Sequence, residues 1–210
     1  AGEIGRWVAD TVSADAAPVD ASVAFADRDP SVAADAAAGR DARTVDADGD
    51  SVHDAVCLAV PMSAVPAAVE AYAPRAEEAI VDVSGEMTDA LAAMREHAPT
   101  LERASYHPLF APPRVPGNVA VVVDEAGPTV AALTDAIEAG GNDVFETTAA
   151  EHDEAMETVQ AGAHAAVLAW RLAAEPVREE FHTPVSAALD EVADTVTEGS
   201  PAVYAEIQRA

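Results

Sequence analysis

Strand-length apolar runs alternate with helix-patterned stretches through the first two thirds of this chain, and that alternation limits the folds open to it. A helix pattern follows residues 1–5 and continues to about Ala14. Residues 21–26 (ASVAFA) predict a strand stopping at Asp27, and residues 31–38 a helix. Residues 55–60 (AVCLAV) predict a buried strand closed by Pro61. A helix follows over 64–73, with Pro66 in its first turn, where a missing N–H is tolerated. Strands over 79–83, 103–106, 118–123 and 143–147 alternate with helices over 88–97 and 129–139. The proline-rich stretch 108–117 reads as a loop. This rhythm predicts an α/β fold with a doubly wound, mostly parallel sheet.

The pattern changes after Thr148. Residues 149–174 read as helix, with Met156, Val159, Ala163, Leu168 and Leu172 on one apolar face. Further helices are expected over 184–197 and from Pro201 onward. Two domains are therefore expected: a sheet domain over 1–148 and an all-helical domain over 149–210. A helical module of about sixty residues is marginal alone, so a homodimer through the helices is expected.

Charge removes several functions. The chain carries 38 Asp and Glu against 11 basic residues, net −27, and every basic residue is Arg. Such a polyanion repels nucleic acid and anionic lipid. No apolar run is long enough to span a membrane, and no basic-then-apolar leader opens the chain. The single cysteine, Cys57, excludes an internal disulfide and fits a cytoplasmic location. Nothing points to a metal. Recurring apolar runs argue against disorder, and a folded protein adapted to molar salt is expected, where a Debye length of about 3 Å screens self-repulsion.

The opening Ala1-Gly2-Glu3-Ile4-Gly5 has the spacing of a glycine turn leading into a helix. Such a turn lets backbone amides approach a pyrophosphate. Asp27 closes the next strand 22 residues after Gly5, near the spacing of a carboxylate that holds an adenosine ribose. The expected fold is then Rossmann-type, with NAD as cofactor. Gly2, Glu3, Ile4, Gly5, Arg6 and Asp27 are candidate cofactor residues, together with Val60 and Pro61 at the end of the 55–60 strand. Arg28 beside Asp27 leaves NADP open, Arg6 faces either the phosphates or an outer acid, and Asp27 also fits an ordinary surface acid. A Rossmann unit needs a strand ahead of this turn, so a preceding segment is expected.

Ser105-Tyr106-His107-Pro108-Leu109-Phe110-Ala111-Pro112 resembles the G-x-H-P-M-x-G-P signature of prephenate dehydrogenases. Three other segments agree in the same order: the opening turn through Trp7, then Glu151-His152-Asp153 with His164, then Phe181-His182-Thr183-Pro184 with residues 202–208 (AVYAEIQ). The resemblance spans essentially the whole chain, and its C-terminal pattern is closest to the archaeal branch. It implies NAD(P)-linked oxidative decarboxylation of prephenate to 4-hydroxyphenylpyruvate, on the route to tyrosine.

The same resemblance implies site residues. His107 is the candidate base for the substrate hydroxyl, although a histidine beside a proline-rich loop also fits a surface role. Leu109 stands where the family has Met, and Ala111 where it has Gly. Asp82-Val83-Ser84-Gly85 stands where the family has D-x-x-S-V-K, with the serine one position early and no Lys following. The resemblance makes Ser84 a catalytic candidate that orients the substrate hydroxyl and the base, and turn or helix-cap duty fits it equally well. His164 is the candidate substrate contact from the helical domain, with a satisfied core histidine as the alternative. His152 fits either a substrate contact or helix capping and domain docking. Arg171, Arg178 and His182 are candidates for the substrate carboxylates.

Arogenate dehydrogenase is an open rival, because no residue here separates a keto group from an amine. A β-hydroxyacid dehydrogenase would use a catalytic Lys, which this chain lacks. A non-catalytic NAD-binding sensor would have little use for His107 in its motif. A purely structural acidic partner would have little use for the glycine turn and Asp27.

Overall fold

In the computed structural model of this protein, residues 1–111 and 114–198 are described. The chain divides into two compact units, Ala1–His152 and Asp153–Ala210.

The first unit is α/β. Gly2 caps α1 (Glu3–Val12), whose acidic first residue suits the positive end of the helix. β1 (Val23–Phe25) and β2 (Ala42–Thr44) form a parallel two-stranded sheet, joined by α2 (Pro30–Ala37). The Asp29 side chain accepts the Ser31 N–H at the start of α2, with Pro30 in its first turn.

A separate five-stranded sheet is ordered β3–β4–β5–β6–β7. Its strands are His53–Leu58, Ala76–Asp82, Glu102–Pro108, Asn118–Glu125 and Asp143–Glu146. They alternate with α3 (Val65–Tyr72), α4 (Thr88–His97) and α5 (Pro128–Ala139). All neighbours run parallel except β5 and β6.

The sheet has a core on each side. Val81, Tyr106, Val119 and Val121 pack with Trp7, Val8, Val130 and Ile137 from α1 and α5. Leu58 and Ile80 pack with Val65 and Val69 of α3 and Leu91 and Met94 of α4. A smaller cluster joins Ala9 of α1 to Phe25, Ala33 and Ala36. Thus α1 serves the two layers with different faces.

Two details differ from the sequence reading. The 55–60 segment was expected to be buried, but β3 lies at the edge of its sheet and Cys57 is exposed. β2 follows no visible alternation, because only three residues pair and they are mostly exposed.

α6 (Ala149–Met156) begins in the first unit and passes, in the second, through a π-helical stretch, Glu157–Gly162, into α7 (Ala163–Ala173). α7 packs on α8 (Pro184–Glu198), where Ala193 is fully buried. The Trp170 indole N–H donates to Asp190 at 2.9 Å. Val159 is 57% and Leu172 88% exposed on the stretch expected to carry an apolar face. No helix among the described residues is long and apolar enough to cross a membrane.

Candidate active site

Side chains in β4 and β5 build the centre of the site. Asp82 pairs in register with Ser105, which sets both on one face of the sheet. His107, two residues further along β5, shares that face, while Tyr106 points to the opposite core. Asp82 and Ser105 are fully buried, Ser84 is 6% exposed and His107 8% exposed. Ligands in open α/β folds bind at such carboxyl ends of strands.

β4 leads into a turn at residues 83–86. The Val83 N–H is held by the Leu58 carbonyl at 3.1 Å. Ser84 gives both its N–H, at 2.9 Å, and its hydroxyl to Asp82 Oδ2. The same hydroxyl lies 3.1 Å from the Glu86 carbonyl. Ser84 therefore shapes this turn, one of the two roles expected for it.

Burial pushes the Asp82 carboxyl up to about 6, against the opposing pull of the Ser84 and Ser105 donors. Ser105 is close enough to favour the charged form. Yet neither its hydroxyl nor Asp82 Oδ1 has a hydrogen-bond partner of full geometry among the described residues. The sequence sets Asp82 at the first position of the D-x-x-S-V-K pattern, but gives it no role of its own until its burial is known.

Gly85 brings this turn against His107. A Cβ on Gly85 would stand 3.5 Å from His107 Nε2, 3.6 Å from Cε1 and 3.0 Å from Met62 Sδ. The Nε2–Cε1 edge of His107 thus faces the turn. Its other nitrogen, Nδ1, lies 2.9 Å from His152 Nε2. The rings meet edge to face with centroids 5.1 Å apart, and His152 is only 3% exposed.

His152 is placed by a side-chain N-cap at the start of α6. Thr148 Oγ1 accepts the Glu151 N–H at 3.2 Å, and Thr147 Oγ1 donates to Glu151 Oε2 at 3.0 Å. The Thr147 N–H is tied to the Val121 carbonyl at 3.0 Å. The sheet therefore fixes where α6 begins.

The remaining candidates fall into two groups. The first turn of α1 carries Gly2, Glu3, Ile4, Gly5 and Arg6. A Cβ on Gly2 would meet nothing within 4 Å, whereas one on Gly5 would come within 3.1 Å of Ala59 Cβ. Arg6 Nε donates to the Ala1 carbonyl at 3.1 Å. Asp27 accepts the Asp29 N–H at 3.0 Å. An open glycine turn at a helix start, flanked by a strand-end carboxylate, fits a dinucleotide. Arg28 adjoins Asp27. At the end of β3, Val60 packs against the α3–α4 core and the Pro61 carbonyl accepts the Ala64 N–H.

His164, Arg171, Arg178 and His182 belong to the second unit. Burial lowers the His164 imidazole below its usual value. Arg171 lies 3.4 Å from Asp194, and His182 Nδ1 lies 3.2 Å from Asp190. The Arg178 guanidinium sits 4.8 Å from the Phe181 ring centre. Pro112 of the histidine motif and residues 202–208 lie outside the described residues. Among the described residues, no cluster of three or more His, Cys, Asp or Glu could hold a metal.

No protein-family model matches the chain. A curated relative from Streptomyces pristinaespiralis, 4-amino-4-deoxyprephenate dehydrogenase, is 35% identical over 168 residues, covering 75% of this chain. The chain spans 56% of that relative's length. Among solved structures, a prephenate dehydrogenase from A. aeolicus in complex with hydroxyphenyl propionate and NAD+ matches 98% of this chain and 78% of its own. Its TM-score is 0.70 at 13% identity. A Synechocystis arogenate dehydrogenase matches 99% of this chain and 80% of its own, with a TM-score of 0.67 at 14% identity. The chain shares the Rossmann-type fold of these neighbours.

Proposed function

We propose that this protein is a dehydrogenase of the prephenate/arogenate type, and that it oxidatively decarboxylates prephenate to 4-hydroxyphenylpyruvate with NAD. The observation that carries this reading is His107. It is buried at the carboxyl end of β5, with one ring edge against the Gly85 turn and the other nitrogen on a second histidine. The curated relative's name supports the same substrate class.

Bound NAD supplies a hydride acceptor. His107 Nε2 takes the proton of the C4 hydroxyl as the hydride leaves C4. The ring carboxylate departs as carbon dioxide, its bonding electrons complete the aromatic ring as a phenolate, and His107 returns its proton to that oxygen. Ser84 and Asp82 hold the turn that abuts the base. Arg171, Arg178 and His182, with His164, are the candidates for binding the substrate's carboxylates and side chain. In the cofactor site, the amides of Gly2 to Gly5 at the start of α1 would face the pyrophosphate, the Arg6 side chain would lie beside them, and Asp27 would hold the adenosine ribose, with Val60 and Pro61 alongside. A carboxylate there favours NAD, since a 2′-phosphate would be repelled. The exposed apolar side chains of the second unit, Leu172, Val185 and Phe181 among them, support a homodimer through the helices.

A second reading comes from the Streptomyces relative: the substrate carries an amino group at C4 in place of the hydroxyl. His107 would then take an N–H proton. One experiment separates the readings. Cofactor reduction is followed in molar KCl with prephenate, arogenate and 4-amino-4-deoxyprephenate, each with NAD and NADP, on protein whose oligomeric state is fixed by sedimentation. The highest kcat/KM is expected for prephenate with NAD, on a dimer. His107→Asn should lower kcat by about 10²–10⁴ with little change in cofactor affinity. Turnover of the amino compound alone selects the second reading, and turnover of none of the three overturns both.

A further inference from the structure

The base assigned above leaves one question about His107: what keeps the Nε2 lone pair available? An imidazole carries one proton when neutral, and the partner of one nitrogen decides which tautomer forms. A free histidine side chain prefers its proton on Nε2, which is the wrong tautomer for a base acting from that atom. The Nδ1–H form needs an acceptor at Nδ1; His152 Nε2 stands there at 2.9 Å and accepts when His152 carries its own proton on Nδ1.

We propose that His152 is the positioning residue of this site, accepting the Nδ1–H of His107 and so presenting Nε2 as an unprotonated base toward the Gly85 turn. This rests on the reading of His107 as the base. Both rings are buried, which removes the competition from water that would scramble tautomers at the surface. His152 is also held from behind. Its N–H donates to the Thr148 carbonyl at 2.9 Å, in the first turn of α6, which the Thr147 N–H ties to Val121 of β6. Its ring is therefore delivered by backbone fixed to the sheet that carries His107.

The arrangement also favours the reaction's direction. Once His107 takes a proton it becomes an imidazolium, and its Nδ1–H becomes a charge-assisted donor. A neutral acceptor at His152 binds that state more strongly than the starting one, which is the differential interaction catalysis needs. A donor in the same place would oppose protonation. His152 thus acts through His107 and not on substrate, a different part from the substrate contact or docking residue its sequence position allowed.

The test reads tautomers directly. Protein labelled with 15N at histidine gives ring signals whose shifts distinguish Nδ1–H from Nε2–H, and His107→Asn identifies the His107 signals. The wild type should show His107 as Nδ1–H with no substrate present. His152→Phe keeps a ring without an acceptor. It should shift His107 toward Nε2–H and lower kcat by roughly 10–100-fold, less than loss of the base itself, with KM for NAD unchanged. His152→Gln offers an amide oxygen and should restore both the tautomer and most of the turnover. If His152→Phe does not fold, the wild-type spectrum and His152→Gln still decide.

A wild-type His107 protonated on Nε2 overturns the proposal, as does His152→Phe with unchanged tautomer and kcat. Failure of the reaction reading is distinguishable. The Nδ1–H tautomer, lost in His152→Phe, with no oxidation of any of the three acids, removes the reaction and leaves the positioning. Oxidation with the wrong tautomer removes the positioning and leaves the reaction.

Discussion

Asp82 is the buried acid that most affects how this site responds to pH. Its carboxyl titrates at about 6 in the folded protein against 3.8 ordinarily, because burial disfavours the charge. The folded state therefore binds this proton more tightly than the unfolded state does. Its contribution to stability is full below about pH 4 and is lost as pH rises toward 6. The difference amounts to about 3 kcal/mol. Asp82→Asn keeps the shape and an acceptor for Ser84 but removes the charge. The variant should lose that part of the decline in stability between pH 4 and 7, read from urea midpoints across that range. An unchanged pH slope would show that Asp82 is not the group responsible. His107 was legible in the sequence because its neighbours form a motif. Asp82 was not, because a strand-end acid becomes distinctive only when β3 and β5 enclose it.

Among the elements, β5 and β6 are joined at one end by Asp124. Its carboxylate accepts Arg103 Nε at 2.8 Å from β5 and Arg95 Nε at 2.7 Å from α4. Arg103 also donates to the carbonyls of Ala98 and Leu101. Burial would raise the Asp124 carboxyl, but the two guanidinium groups more than offset it and hold it below the usual value. Asp124→Ala would leave Arg103, whose side chain is 8% exposed, with Glu125 at 3.6 Å as its remaining carboxylate, and should cost roughly 2–3 kcal/mol. Arg95→Ala should cost far less, because that side chain is 57% exposed. Denaturant midpoints for the two variants check this, and equal losses would contradict it. The element types were legible wherever periodicity was sustained: the helix over 88–97 coincides with α4. Pairing was less so. The apolar run in β6 reads the same in either direction, so its antiparallel pairing with β5 had no sequence signal. In β3, apolar residues on both faces suggested an interior strand, while its edge position depends on which strands come beside it.

At the scale of the molecule, the sequence placed the change from sheet to helix at residue 148, and the compact units divide after His152. That small displacement matters, because it leaves His152 in the same unit as His107. The two-stranded layer of β1 and β2 has another consequence. It is bound to the rest of its unit through Ala9 of α1 and through Arg40, which reaches Asp10 at 2.6 and 2.8 Å. Three-residue strands over a core of mostly alanines give this layer a low free energy of local opening. The glycine turn opens α1, the helix that serves both layers, with Asp27 at the end of β1 and Gly5 against Ala59 beyond β3. A dinucleotide held there would make opening of the layer require release of the ligand. Amide hydrogen exchange in β1, α2 and β2 should then be the fastest among the strands and helices of the first unit, and should slow in proportion to NAD concentration above Kd. Exchange there that ignores NAD would mean the layer closes by itself. The protection expected makes the cofactor a structural fastener as well as a reagent, and makes the weakest part of the fold the most direct reporter of occupancy.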